Sequence, residues 1–306
     1  MPSGKQEKFG ILPSLELMPF FERAFLQVVD VEFVARASYG SIAREMLVGN
    51  LVGGVLPWEV FVSEVLALPG QRNQWTAAFF SDPSPTELIL QTHIQKALCQ
   101  DPASPARKIP ARLQIGIESR SSLTRHQFTE WLNTLKLSPR PEIVFKFLPM
   151  DQRLQGMPAH ALDGFIARSP WGVIAEEQKL GSIVREFPTK GVSQRLVTVC
   201  RKDIGACERF CNESALGKLM EARGTISDPA NFEDAAMRMG GSGKPHIPLD
   251  FLKKAARTHG QPAPARDVRA DVAEVTRELL YLHKLSMLPP QVPPTEQTAR
   301  LISPAS

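Results

Sequence analysis

What most constrains this chain is an alternation that runs once, breaks, and runs again. Residues 8–13, 31–35, 52–56 and 75–81 read as strands, and 18–26, 41–51, 59–68 and 86–98 as helices. A segment with three prolines, 100–110, interrupts the pattern and reads as a crossover. Strands then return at 112–118, 142–148, 164–167, 183–184 and 195–200, with helices at 121–137, 152–162 and 173–180 among them. Strands spaced by short helices mean βαβ units and mostly parallel sheets. Two such runs predict an α/β protein with two lobes, as expected of 306 residues, too many for one ordinary core.

After residue 205 the sequence reads as helices, at 208–222, 231–239, 249–258 and 268–285. The expected layout is lobe I begun by residues 1–104, lobe II from 105–186, a return to lobe I with C-terminal helices over 187–288, and a proline-rich tail, 289–306, expected to be disordered. A chain that crosses twice between lobes places a ligand in the cleft, at strand C-termini and helix N-termini.

Several classes of function are disfavoured. A net charge of +4 is too small to suggest a nucleic-acid surface. No run of 18 apolar residues predicts a membrane span. The first residues show no apolar leader or small-residue cleavage site, so a cytosolic location is expected. Gly240-Gly241-Ser242-Gly243-Lys244-Pro245 lacks the upstream glycine and the final Ser/Thr of a phosphate loop. The six histidines form no metal-ligand spacing, and His126 lies just inside a helix. Of Cys99, Cys200, Cys207 and Cys211, the last two share a helix face, but no CxxC pair occurs, and reduced structural thiols are expected. No cofactor, metal or catalytic group is predicted.

Polar groups recur where strands meet helices. Glu16 follows the first strand, Ser38 the second, and Leu56 with Trp58 the third. Ser122 and Thr124 open the helix of the second run, and Arg168 and Trp171 mark another junction. Hydroxyls and free N–H groups at helix starts hold anions, and Arg168 and Arg195 could add forked donors for a planar oxyanion.

Three stretches resemble the solute-binding proteins of nitrate, bicarbonate, sulfonate and thiamine-precursor ABC transporters. They are Gly10-Ile11-Leu12-Pro13-Ser14-Leu15-Glu16-Leu17-Met18-Pro19; Ala37-Ser38-Tyr39-Gly40-Ser41-Ile42 continuing to Gly53-Gly54-Val55-Leu56-Pro57; and Asp163-Gly164-Phe165-Ile166-Ala167-Arg168-Ser169-Pro170-Trp171. The resemblance covers roughly 8–200 and is nearest to the nitrate/bicarbonate branch. It implies a type II periplasmic-binding-protein fold and a non-enzymatic function: closing on a small anion such as nitrate or nitrite. Ser122 and Thr124 match the family's helix-start loop, Leu56–Trp58 a cleft wall, and Arg195 a lysine near the return crossover. Arg168 and Ser169 depart from a glycine and a glutamate. The expected role is a cytosolic nitrate/nitrite sensor that holds an RNA-binding antiterminator. The alternatives are the receptor of an ABC permease and an enzyme akin to thiamine-pyrimidine synthases, for which Cys207 and Cys211 are the only cysteine-rich hint.

Overall fold

The computed structural model describes residues 6–81, 86–99, 110–187, 195–243, 247–259 and 270–304, save the side chains of residues 15, 16, 258 and 259. The chain opens with β1 (Lys8–Ile11), a 3-10 segment (Leu15–Phe21), α1 (Arg23–Val29), β2 (Glu32–Ala35), α2 (Tyr39–Leu47) and β3 (Gly53–Pro57). Helix α3 (Trp58–Val60) runs into a π-helical turn (Phe61–Leu66), followed by β4 (Trp75–Phe80). Next come β5 (Thr86–Leu90), α4 (Thr92–Cys99), β6 (Arg112–Ile117), α5 (Leu123–Thr134), β7 (Glu142–Phe147), α6 (Met150–Gly156), β8 (Gly164–Arg168), α7 (Trp171–Glu177) and β9 (Ser182–Phe187). Strand β10 (Leu196–Arg201) precedes α8 (Gly205–Cys211), α9 (Glu213–Thr225), α10 (Pro229–Gly241), α11 (Leu249–His259), α12 (Val272–Lys284) and α13 (Glu296–Ile302).

Two five-stranded sheets result, ordered β2-β1-β3-β10-β4 and β7-β6-β8-β5-β9. In each, three parallel strands are followed by one antiparallel strand inserted out of chain order, β10 in the first and β5 in the second. The chain therefore changes sheet twice, between Phe80 and Thr86 and between Phe187 and Leu196. The two crossings are laced together. Ser81 N donates to Leu196 O at 2.8 Å, and Leu196 N donates to Ser81 Oγ at 3.0 Å.

The first sheet is close-packed because β3 is glycine-led. A Cβ on Gly53 would lie 2.2 Å from the Phe9 ring and 2.4 Å from the Val199 carbonyl oxygen. Only glycine lets β1, β3 and β10 approach so closely. Helix α2 starts where Ser38 Oγ accepts from Ser41 N at 3.1 Å, and its buried face (Tyr39, Ile42, Ala43, Met46) lies over this sheet.

Several expectations are corrected. Residues 86–98 are not one helix. Thr86–Leu90 is a fully buried strand between β8 and β9. Glu87, Leu88 and Leu90 are good helix formers, but cross-strand pairing and burial override that preference. The first crossing thus precedes the proline-rich segment, most of which (100–109) lies outside the described residues. The expected helix 208–222 is two helices, broken at Asn212, whose side chain caps α9. The tail is ordered over 289–304: Ala299 and Ile302 of α13 are buried, and Thr76 Oγ1 of β4 donates to Ile302 O at 2.8 Å. Cys200 and Cys207 are joined in a disulfide rather than reduced. Of the glycine-rich stretch, Gly240 and Gly241 close α10, and Ser242 runs beside β2, where Ala35 N donates to Ser242 O at 2.9 Å; Lys244 and Pro245 lie outside the described residues.

Candidate functional site

The lobes meet at the C-terminal ends of their parallel strands, and several polar contacts tie them across the cleft. Trp171 Nε1, after β8, donates to Pro13 O, after β1, at 3.2 Å. Met150 N donates to Ala37 O at 3.0 Å. Ser119 and Ser121, after β6, donate their hydroxyls to Glu64 Oε1. Leu123 N, the first amide of α5, donates to Glu59 Oε1 at 3.2 Å. A carboxylate of lobe I therefore caps a helix of lobe II, where the helix dipole favours negative charge.

Further titratable side chains lie at this junction. Glu59 is buried, and that burial pushes its pKa up to about 7, against the lowering pull of backbone hydrogen bonds and of Arg168. Arg168 ends β8 and is buried. Arg153, from α6, is fully buried. Its Nη1 donates to Ile166 O at 2.7 Å, and its Nη2 lies 3.6 Å from Glu118 Oε1. Tyr39, fully buried in lobe I, is electrostatically coupled to Arg153. Trp58 Nε1, Glu59 Oε2 and Ser169 Oγ are buried with no hydrogen-bond partner among the described residues. Such groups are costly unless something satisfies them, and buried orphans in a native site mark a place where a ligand or water belongs.

The structure places the sequence-predicted residues differently. Trp58, Arg168 and Trp171 stand at the interlobe junction, and Leu56 is core in β3. Ser38 and Ser122 are occupied as helix caps, Ser122 Oγ accepting from Thr124 N at 3.3 Å and lying 2.8 Å from Thr124 Oγ1. Glu16 lies in the 3-10 segment, but its side chain is outside the described residues. Arg195 is the correction. Its Nη1 pairs with Glu274 and lies 3.6 Å from Glu278 Oε1, its Nε donates to Ser81 O at 3.1 Å, and it stacks over Phe80. The guanidinium is held by α12 and the crossing, because two carboxylates 79 and 83 residues downstream meet it there. His126 is exposed and paired with Glu130.

Sequence reasoning did not single out Glu59, Glu118 or Arg153. The one signal was that Glu59 directly follows the predicted Pro57-Trp58 junction. Nearby, a pocket of about 370 Å³ at the start of α5 is lined by Arg120, Arg125, His126, Ser121, Ser122 and Met287.

Two sheets of this topology around a polar cleft define the periplasmic-binding-protein fold. The NMT1-like family profile matches residues 20–240, and the chain belongs to that family. The fold is similar to that of the periplasmic nitrate-binding protein NrtA from Synechocystis PCC 6803, at TM-score 0.69 and 13% identity over 97% of this chain and 85% of that one. The alkanesulfonate-binding protein SsuA from Xanthomonas axonopodis pv. citri, bound to MOPS, is similar at TM-score 0.65 and 12% identity over 97% of both chains. The ligand-binding component of an ABC-type import system from Staphylococcus aureus, with zinc bound, is similar at TM-score 0.65 and 13% identity over 94% of both. A search of curated proteins finds no match. Among the described residues, no helix is long and apolar enough to cross a membrane.

Proposed function

We propose that this protein is the solute-binding component of an ABC import system, and that it closes on a small oxyanion carrying a hydrogen-bond donor of its own. The observation that carries the reading is the set of buried, unsatisfied groups at the strand ends: the donor Trp58 Nε1, the acceptor Glu59 Oε2 and Ser169 Oγ. The arginines Arg168 and Arg153 suit the negative end of the solute, and Glu59 suits its donor end. A bare planar anion such as nitrate would leave the Glu59 oxygen unsatisfied whenever that carboxyl is ionised. Bicarbonate and taurine bring both kinds of group.

The receptor role is supported by neighbours that bind nitrate and sulfonates and by one that belongs to an import system. Among the described residues, no particular contact favours the sensor that holds an RNA-binding antiterminator. With the receptor role, the expected compartment moves from the cytosol to the side on which the periplasmic neighbours work. The reading is of a binding protein rather than an enzyme: Cys207, on which the synthase alternative leaned, is spent in a disulfide.

A thermal-shift panel of nitrate, nitrite, bicarbonate and taurine tests the ligand. A solute bound to the native state alone adds RT ln(1 + [L]/Kd), about 2.7 kcal/mol at a hundredfold excess over Kd. Bicarbonate or taurine should raise the melting temperature more than nitrate does. Absence of any shift at millimolar concentration would contradict the reading.

A further inference from the structure

We propose that Cys200, Cys207 and Cys211, once the Cys200–Cys207 disulfide is reduced, form a trithiolate site in lobe I for a soft metal ion of the copper(I) class. Cys200 comes from β10, while Cys207 and Cys211 lie one turn apart on α8. The three sulfurs lie within 4.8 Å of one another. The Cys207 and Cys211 sulfurs are 4.0 Å apart. An ion held in a plane by three sulfurs at about 2.3 Å sets neighbouring sulfurs about 4.0 Å apart, so one edge of such a triangle is already in place.

The donor set selects the metal. It is all sulfur, and no histidine or carboxylate joins the group among the described residues. Soft thiolates favour Cu(I), whereas hard cations such as Mg2+ and Ca2+ require oxygen ligands. The absence of a fourth donor disfavours the four-coordinate geometry of structural zinc. Cys200 and Cys207 are buried in a core that also holds Phe9 and Phe210, and Cys211 is partly exposed, offering a way in.

The chemistry balances in two steps. A thiol reductant supplies two electrons and two protons to Cys200–Cys207 and leaves as its own disulfide. The ion then replaces the three thiol protons, which pass to solvent. With the disulfide closed, two of the three sulfurs are bonded to each other, so binding is gated by reduction.

The test titrates Cu(I), buffered by a bicinchoninate chelator under anaerobic conditions, into the full-length protein. Protein reduced with a phosphine should withdraw one equivalent from the chelator, and oxidised protein none. C211S keeps the disulfide pair and should bind at least tenfold more weakly. X-ray absorption at the copper edge of the wild-type complex should show three sulfur neighbours. Failure of the reduced protein to compete with the chelator, a C211S affinity equal to wild type, or a shell of two sulfurs would each overturn the proposal.

Discussion

Arg195→Ala is expected to destabilise the protein by about 3–5 kcal/mol, because it removes one partner from a buried ion cluster. The side chains of Arg195, Glu274 and Glu278 are 9%, 11% and 5% exposed, so the carboxylates left behind would remain out of water. Arg277 also pairs with Glu274 and offsets part of that loss, which points to the lower end of the range. The loss also reaches the crossing between lobes, since Arg195 Nε holds the Ser81 carbonyl beside the Ser81–Leu196 bonds. Denaturant unfolding of wild type and variant measures the effect. A change under about 1 kcal/mol, the usual worth of an exposed ion pair, would contradict a buried cluster held by Arg195.

The second large effect is a loss of stability with rising pH. Burial raises Glu59 to about 7 and Glu87 to about 8, from an ordinary 4.5. For Glu87, the Gly172 amide bonded to Oε2 pulls the other way, and nearby Glu186 and Glu176 raise the value further. Between pH 4.5 and these values the folded chain keeps protons that the unfolded chain has released, so stability falls as pH rises. The contribution is whole below about 4.5 and is lost as pH passes through 7 and then 8. At 1.36 kcal/mol per pKa unit, Glu59 accounts for about 3 kcal/mol and Glu87 for about 5. Denaturation midpoints measured from pH 5 to 8 should decline, and Glu59→Gln and Glu87→Gln should each flatten the slope. A rising profile, or an unchanged slope in both variants, contradicts the assignment.

The fold was legible because strand and helix periods alternate in the sequence, and the candidate site could be read only where it sits at a strand end. Trp58, Arg168 and Trp171 follow or close strands whose boundaries are marked by apolar runs. Strand β5 was not, because Thr86-Glu87-Leu88-Ile89-Leu90 leads directly into helix-forming sequence, and only its partners β8 and β9, more than 70 residues away, make it a strand. Distance in sequence hid the remaining site contacts too. Glu59 meets Leu123, and Arg153 meets Glu118, through packing that no local spacing encodes. The position of Arg195 beside the return crossing was readable, but its partners on α12 were not. The three-cysteine cluster was half visible, as Cys207 and Cys211 share a helix face, while Cys200 joins them only through the seating of β10 against α8.

On the proposed function, a small solute is held between the lobes by the buried donors that follow β3 and close β8. Calorimetric titration of wild type, Trp58→Phe and Arg168→Gln with the panel solute of largest thermal shift tests it most directly. Phenylalanine fills the indole's place but lacks its N–H, and a hydrogen bond to a charged group contributes about 1.5–3 kcal/mol. Affinity should therefore fall roughly tenfold to a hundredfold in Trp58→Phe, and at least as far in Arg168→Gln, with wild type binding one equivalent. Wild-type affinity in both variants, or no heat of binding in the wild type, would contradict the account.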